Sequence, residues 1–361
     1  MPAEKHVVVL VHGMGKHTPG RFRAQFVDSV NAAMRRYRGF EKKKIENLVI
    51  VEEINYDRFF DEARERMARR AIPVYQRLEK FAALTGRGAG LVLKLANIER
   101  KFGRDEFLYT HLLDVILYTT LLGARVRLEV GRRLGRVIAD YPTRKVHVVA
   151  HSLGTAVVHD TLDLLYRENS SFSDGLPGLD LVTHRLSSIW MIANVSRLMC
   201  SLTGQQHPYG SVVRPGTGGC TNLFVNVRHE LDVFTWFRKF DPPNDTSWIP
   251  RESFELSYVP IATSVVRQPN THDFSDYIED PLVSVPLLRR LVRLSPDQTE
   301  LDRVAGQHRS SGIPGAYAEL REALEVIQVS DRATLLDLAL ATREFRQIVD
   351  QFRVQLDAMA S

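Results

Sequence analysis

The run Val146-His-Val-Val-Ala-His-Ser-Leu-Gly-Thr155 holds a serine where it could act as a nucleophile. An apolar strand ends at Ala150, and a helix with Ala156, Val157 and Val158 begins just after Gly154. Ser152 falls at the sharp turn between them. Such a turn lifts the hydroxyl clear of the sheet, and crowding admits only small residues two places to either side, here Ala150 and Gly154. The N–H of Leu153, at the helix N-terminus, then points to where the oxyanion of a tetrahedral intermediate would form. The plainer alternative is a serine that only caps a helix. A second signal, His12-Gly13-Met14-Gly15, directly follows the first strand. Its glycines let the backbone turn sharply and approach a ligand, so the Met14 amide can be a second oxyanion donor, with His12, Gly13 and Gly15 shaping the loop. Most glycine-rich turns after a strand only turn the chain. This one gains weight from Ser152 at the end of a neighbouring strand. It is not a phosphate loop, since no Gly-Lys-Ser or Gly-Lys-Thr follows, and the spacing does not fit a dinucleotide fingerprint.

A serine nucleophile needs a base within hydrogen-bond reach and a carboxylate to hold that base in the right tautomer. Behind a serine turn of this type the acid comes first and the base second, in loops after later strands. The strand Asn222–Val227 runs into Arg228-His-Glu-Leu-Asp232-Val-Phe, which puts Asp232 at the carboxyl edge of the sheet. Glu230 is the runner-up, and Asp241 and Asp245 come later in the same loop. After the next strand comes Asn270-Thr-His272-Asp-Phe-Ser-Asp-Tyr277, which places His272 at that edge too. Singly these residues mean little, because a loop aspartate is usually a turn residue and a loop histidine is usually solvated. Their order raises them: three required residue types follow three strands, all on the edge where such sheets bind ligands.

Short β-branched runs alternate with longer helical patterns, the signature of an α/β protein with a mostly parallel sheet of about six strands flanked by helices. The expected strands are His6–Val11, Leu48–Asn55, Val146–Ala150, Ser188–Ala193, Leu223–Val227 and Tyr258–Val266. Most are apolar nearly throughout, as strands covered on both faces should be. Arg21–Tyr37 reads as a crossover helix with Phe22, Phe26, Val30 and Ala33 at helical spacing. The stretch 57–141 is far longer than one crossover needs. It reads as helices Asp61–Leu84, Leu91–Phe102 and a pair around Leu108–Ile138, partly a cap over the carboxyl edge. Ser196–Thr221, rich in glycine, reads as irregular. The tail is helical again: Asp331 can cap a helix carrying Leu338, Phe345, Ile348, Phe352 and Leu356. The organisation expected is one domain over 1–294, with the helical insertion at 57–141, and a helical extension over 295–361.

With these pieces in place the sequence resembles the α/β-hydrolase superfamily, in particular bacterial serine esterases and lipases. The resemblance rests on Val-Leu-Val-His-Gly-Met-Gly (9–15), Val-Val-Ala-His-Ser-Leu-Gly (148–154), the Glu-Leu-Asp loop (230–232) and Asn-Thr-His-Asp-Phe (270–274). The run Asp114-Val-Ile-Leu-Tyr ahead of the serine turn is similar to lipase-like members as well. It spans about residues 5 to 290 and leaves the insertion and tail without a counterpart. One departure is Ala150, which stands where the family pattern Gly-x-Ser-x-Gly has its first glycine. The first run, 6–11, stands where the family would count its third strand, which implies a trimmed core. The resemblance implies a hydrolase of carboxylic esters working through an acyl-enzyme on Ser152, with no metal or cofactor. Acyl transfer or thioester cleavage would use the same residues, and a non-catalytic interaction protein on a hydrolase scaffold is a further alternative.

The chain has 361 residues, 44% apolar and 25% charged, which excludes wholesale disorder. A formal charge of +5 suits anionic surfaces but is too small to argue for nucleic acid, and no aromatic-and-basic stripe appears. Arg64, Arg66, Arg69, Arg70 and Arg77 stud one helix, and Arg125, Arg127, Arg132, Arg133 and Arg136 another. Interleaved apolar residues would let such helices lie on an anionic membrane surface or hold a phosphate group, which favours a lipid or phospholipid ester as substrate. The opposing reading is a solvated basic face paired with Glu62, Glu65, Glu79 and Glu129. His12 with His17 and His147 with His151 invite a metal, but neither pair belongs to a His-Glu-x-x-His helix. Cys200 and Cys220 read as packing or loop thiols. The polar start shows no secretory segment, and Leu112–Leu122, broken by Asp114, is too short for a membrane span, so a cytoplasmic protein is expected.

Overall fold

A strand that must be covered on both faces can carry no side chain that needs water, and Val7–Val11 is such a run: all five residues are buried. In the computed structural model it is the first of six strands among the described residues, β1 (Val7–Val11), β2 (Ile50–Ile54), β3 (Val146–His151), β4 (Ser188–Ile192), β5 (Phe224–His229) and β6 (Tyr258–Thr263). They form one all-parallel sheet in the order β2-β1-β3-β4-β5-β6. The structure describes residues 5–13, 18–62, 118, 122–141, 145–167, 176, 178–203, 207–236, 239–243, 248–268, 270–318 and 321. Every expected strand shifts at one end or both, and two shorten by three residues. The second begins after a one-turn helix, Ile45–Leu48, and the last stops at Thr263.

Alternation along the strands divides the core into two layers, as a period of two requires. Val7, Val9, Val11, Val146, Val148 and Ala150 face one side. They pack on α2 (Gly123–Asp140) and α3 (Leu153–Tyr166) through Val126, Val130, Leu134, Ile138, Ala156 and Leu162. Val8, Leu10, Val149, Trp190 and Ile192 face the other. There they meet α1 (Arg21–Met34), α5 (Phe274–Glu279), α6 (Pro281–Val292) and α7 (Gln298–Ser310). Each buried apolar side chain contributes about 1.5–3 kcal/mol. α1 holds its expected apolar residues inward but ends at Met34, not Tyr37. Asp273, Asp280 and Asp297 cap α5, α6 and α7 with their carboxylates.

The region 196–221 is not irregular throughout. α4 (Ser196–Thr203) and a 3-10 turn at Pro208–Gly210 lie within it. Of the expected insertion, 63–117 and 119–121 lie outside the described residues, and so do the first arginine cluster and most of Leu112–Leu122. The end of the insertion, α2, is a core helix. Its apolar stripe faces the sheet, Arg133 pairs with Glu129 at 2.9 Å, and Arg127 lies 3.9 Å from Asp160. No apolar face of α2 is therefore left for lipid. The tail beyond 321 is also outside the described residues. Among the described residues no helix is long and apolar enough to cross a membrane.

The sheet turns its direction of growth between β1 and β3: the chain passes from β1 to β2 on one side, then crosses to β3 on the other. The carboxyl ends of these two strands flank the crevice where parallel sheets bind ligands. At the opposite, amino edge a largely buried polar chain ties β3 and β4 to the residue just before β1. His6 Nδ1 lies 2.8 Å from His147 Nε2, His147 Nδ1 lies 2.7 Å from Ser188 Oγ, and the Trp190 indole N–H donates to the same hydroxyl at 2.9 Å. Burial, reinforced by His6 and Arg290, pushes His147 down from 6.5 to about 3. The unfolded chain therefore binds this proton at a higher pH than the folded one, and stability falls as pH drops from about 6.5 towards about 3. Chemical denaturation at pH 7 and pH 5 should show about 2 kcal/mol lost on this account, and His147→Leu should flatten that loss. An equal loss in both proteins would place the acid sensitivity elsewhere.

Candidate active site

Ser152 adopts φ 53° and ψ −127°, a conformation that a residue with a side chain takes only under constraint. The constraint is backbone crowding. A Cβ on Gly154 would lie 2.3 Å from the His12 carbonyl oxygen and 2.5 Å from that of Val11. A Cβ on Gly13 would lie 2.7 Å from Ser152 Cβ. Only glycine lets β1 and the first turn of α3 come this close. Ser152 N–H donates to Ile192 O at 3.0 Å, and the Ser152 carbonyl accepts from Thr155 Oγ at 2.6 Å, which fixes the turn from both sides. Ala150, in place of a glycine, is fully buried with its methyl in the core. The Ser152 side chain makes no capping bond to α3, so the cap reading fails. The Leu153 N–H, first in the helix, belongs to the donors that a helix end leaves unpaired.

The hydroxyl instead meets His272, with Oγ 2.8 Å from Nε2. His272 Nδ1 lies 2.7 Å from Asp232 Oδ2. A carboxylate only accepts, so Nδ1 carries the proton and Nε2 is left to accept from the serine. Ser152, Asp232 and His272 come from beyond the carboxyl ends of β3, β5 and β6 and are all buried, with Asp232 fully so. Asp232 Oδ1 takes the Phe234 N–H at 3.0 Å, and Tyr277 Oη donates to Oδ2 at 2.7 Å. Burial and the neighbouring Asp232 charge raise Tyr277 well above its ordinary value, so it keeps its proton and remains a donor. The Phe234 ring lies 4.7 Å from the imidazole, and His151 Nε2 lies 3.0 Å from the His272 carbonyl oxygen.

The other acids fall away. Glu230 accepts from Tyr317 Oη at 2.6 Å, and Asp241 is exposed beside Lys239, while Asp245 lies outside the described residues. His12 is fully buried and stacked on Tyr56. Its Nε2 accepts the Tyr56 N–H at 3.2 Å, so Nδ1 carries the proton towards the Gly13 carbonyl at 2.8 Å, while Tyr56 Oη donates to the His12 carbonyl at 2.7 Å. The start of the loop is thereby held rigid. Met14 and Gly15, the rest of the expected oxyanion loop, lie outside the described residues, as does His17. His147 and His151 sit at opposite ends of β3, and among the described residues no three His, Cys, Asp or Glu side chains converge as metal ligands. Cys220 is buried and its thiol pushed up to about 12, and Cys200 is also raised by burial, so neither offers a thiolate.

A second Ser–His–Asp series exists. Ser211 Oγ lies 2.8 Å from His159 Nε2, and His159 Nδ1 lies 3.2 Å from Asp160 Oδ1. Ser211 follows a 3-10 turn with relaxed φ −93°, and its Oγ accepts the Val213 N–H at 3.0 Å. It has neither the strained turn nor a helix N-terminus behind it, and it reads as a buried structural network. Compared with protein-family models, with curated proteins and with solved structures, the chain matches none. The architecture itself defines the class, a parallel α/β sheet with a buried serine, histidine and aspartate at its carboxyl edge.

Sequence reasoning did not find Tyr277 or Tyr56 as supports. The signal for Tyr277 was its place beside Phe274 and Ile278, an i, i+3, i+4 apolar set on α5 that marks it as buried. The crowding at Gly154 has a direct consequence. Gly154→Ala should lower stability by about 1–3 kcal/mol in urea denaturation, because backbone, not a pliable side chain, fills the space. An unchanged midpoint would show that the turn has slack.

Proposed function

We propose that this chain is a serine hydrolase of the α/β-hydrolase type, acting on carboxylic esters. The observation that carries the reading is the continuous series Ser152–His272–Asp232, at 2.8 Å and 2.7 Å, behind a strained turn at the carboxyl edge of the sheet. His272 takes the Ser152 proton as Oγ attacks the ester carbonyl, and Asp232 steadies the imidazolium that forms. The Leu153 amide receives the developing oxyanion. His272 then passes its proton to the leaving alcohol, and a water activated by the same imidazole releases the acid from the acyl-serine. A lipid or phospholipid ester is the preferred substrate. On α2 only the charged half of that argument is available, since its apolar stripe serves the core. Acyl transfer would use the same residues with a different acceptor.

Two assays on the full chain test this. A fluorophosphonate should label Ser152 and leave Ser211→Ala labelled as fully as the wild type. Across p-nitrophenyl esters from short to long acyl chains, Ser152→Ala should lose at least about a thousandfold in kcat/KM. Absence of both labelling and hydrolysis, with lipid dispersions present, would overturn the reading.

A further inference from the structure

Two donors converge on one oxygen of Asp232. His272 Nδ1 reaches Oδ2 at 2.7 Å from one side, and Tyr277 Oη reaches it at 2.7 Å from the other. The tyrosine is itself aimed. Its oxygen accepts the backbone N–H of His229, the last residue of β5, at 2.9 Å, which leaves the hydroxyl proton for the carboxylate. The ring is buried in the layer beneath α5. Asp232 is thus clamped by Tyr277 and His272 on Oδ2 and by the Phe234 amide on Oδ1, and no donor comes from solvent because the residue is fully buried.

We propose that Tyr277 is a positioning residue for the Ser152 site, whose hydroxyl keeps Asp232 ionised and correctly turned and limits how much of its charge His272 feels. The inference rests on the serine-hydrolase reading. A hydrogen bond donated to a carboxylate stabilises its charged form and draws density from the oxygen that accepts it. With Tyr277 in place Oδ2 is a poor destination for the imidazole proton, so the proton stays on Nδ1 and Nε2 remains the acceptor that Ser152 needs. The same bond weakens the pull of Asp232 on a protonated imidazole, which a bare carboxylate would hold more tightly. The ionisable groups around the pair are His151 at the end of β3, Arg228 and His229 of β5, Glu230, and Asp280 before α6.

The test compares wild type, Tyr277→Phe, His151→Gln and a packing control, Val283→Ala, each as the full chain. Tyr277→Phe keeps the ring and removes one hydroxyl. In it the acid limb of kcat/KM for a p-nitrophenyl ester should move to higher pH by roughly half to one pH unit. The low-field proton resonance of His272 Nδ1–H should move further downfield, because Oδ2 becomes the stronger acceptor. Val283→Ala should lower the melting temperature while leaving limb and resonance in place. A Tyr277→Phe protein that is merely less stable, with limb and resonance unmoved, overturns the proposal, and so does a limb that disappears in His151→Gln. Failure of the underlying reading shows separately. A wild-type Ser152 that takes no fluorophosphonate removes the hydrolase and this role with it, whereas a labelled Ser152 with an unmoved limb and resonance removes the positioning role alone.

Discussion

The start of α3 and the end of β1 share a space with no room for a side chain, and the serine turn exists because of it. Gly154 faces the carbonyls of Val11 and His12, Gly13 faces Ser152, and the chain between strand and helix must take a positive φ to pass. Such strain persists only where its surroundings hold it fixed. Here they do: β1 is hydrogen-bonded to β3 along its whole length, and β1 and β3 up to Ala150 are buried on both faces. The sheet order then settles the rest. Because β4, β5 and β6 stack outward from β3, their connecting loops bring Asp232 and His272 to the same edge as Ser152.

The strands, the layers and the three residues of the hydrogen-bonded series were legible because each leaves a local mark. Apolar runs mark buried strands, and a small residue on each side of Ser152 marks the turn. Strand ends were less legible. Val265 and Val266 continue the β-branched pattern of β6, yet they serve packing after the ladder has ended. α4 was missed because glycines on its far side hid a short amphipathic pattern. α2 was read as part of a cap because its arginines look outward in any setting, and only the structure shows where its valines and leucine point. Tyr277 and Tyr56 were beyond reach for a different reason. A tyrosine in an apolar pattern reads as core, and which backbone or carboxylate its hydroxyl meets is a matter of tertiary position.

Two sets of polar groups at the ends of the sheet are joined in chains. At the carboxyl edge the chain runs from the His229 amide through Tyr277, Asp232 and His272 to Ser152. At the amino edge it runs from His6 through His147 and Ser188 to Trp190. Each interior member has its partners, which is what makes burial tolerable, since an orphaned polar atom would cost about 1–3 kcal/mol. The two chains differ in what they can move. The first ends on a hydroxyl beside a helix N-terminus, the second on an indole that can only donate.

The edges of the sheet bear on how the molecule keeps its own company. An outer strand offers unpaired amides to any other chain that presents a strand, its own copies included. β6 carries Pro260, which has no N–H to offer, and β2 carries Glu52 and Glu53, which repel a second copy. Among the described residues, growth of the sheet from one copy into the next is thus discouraged at both margins.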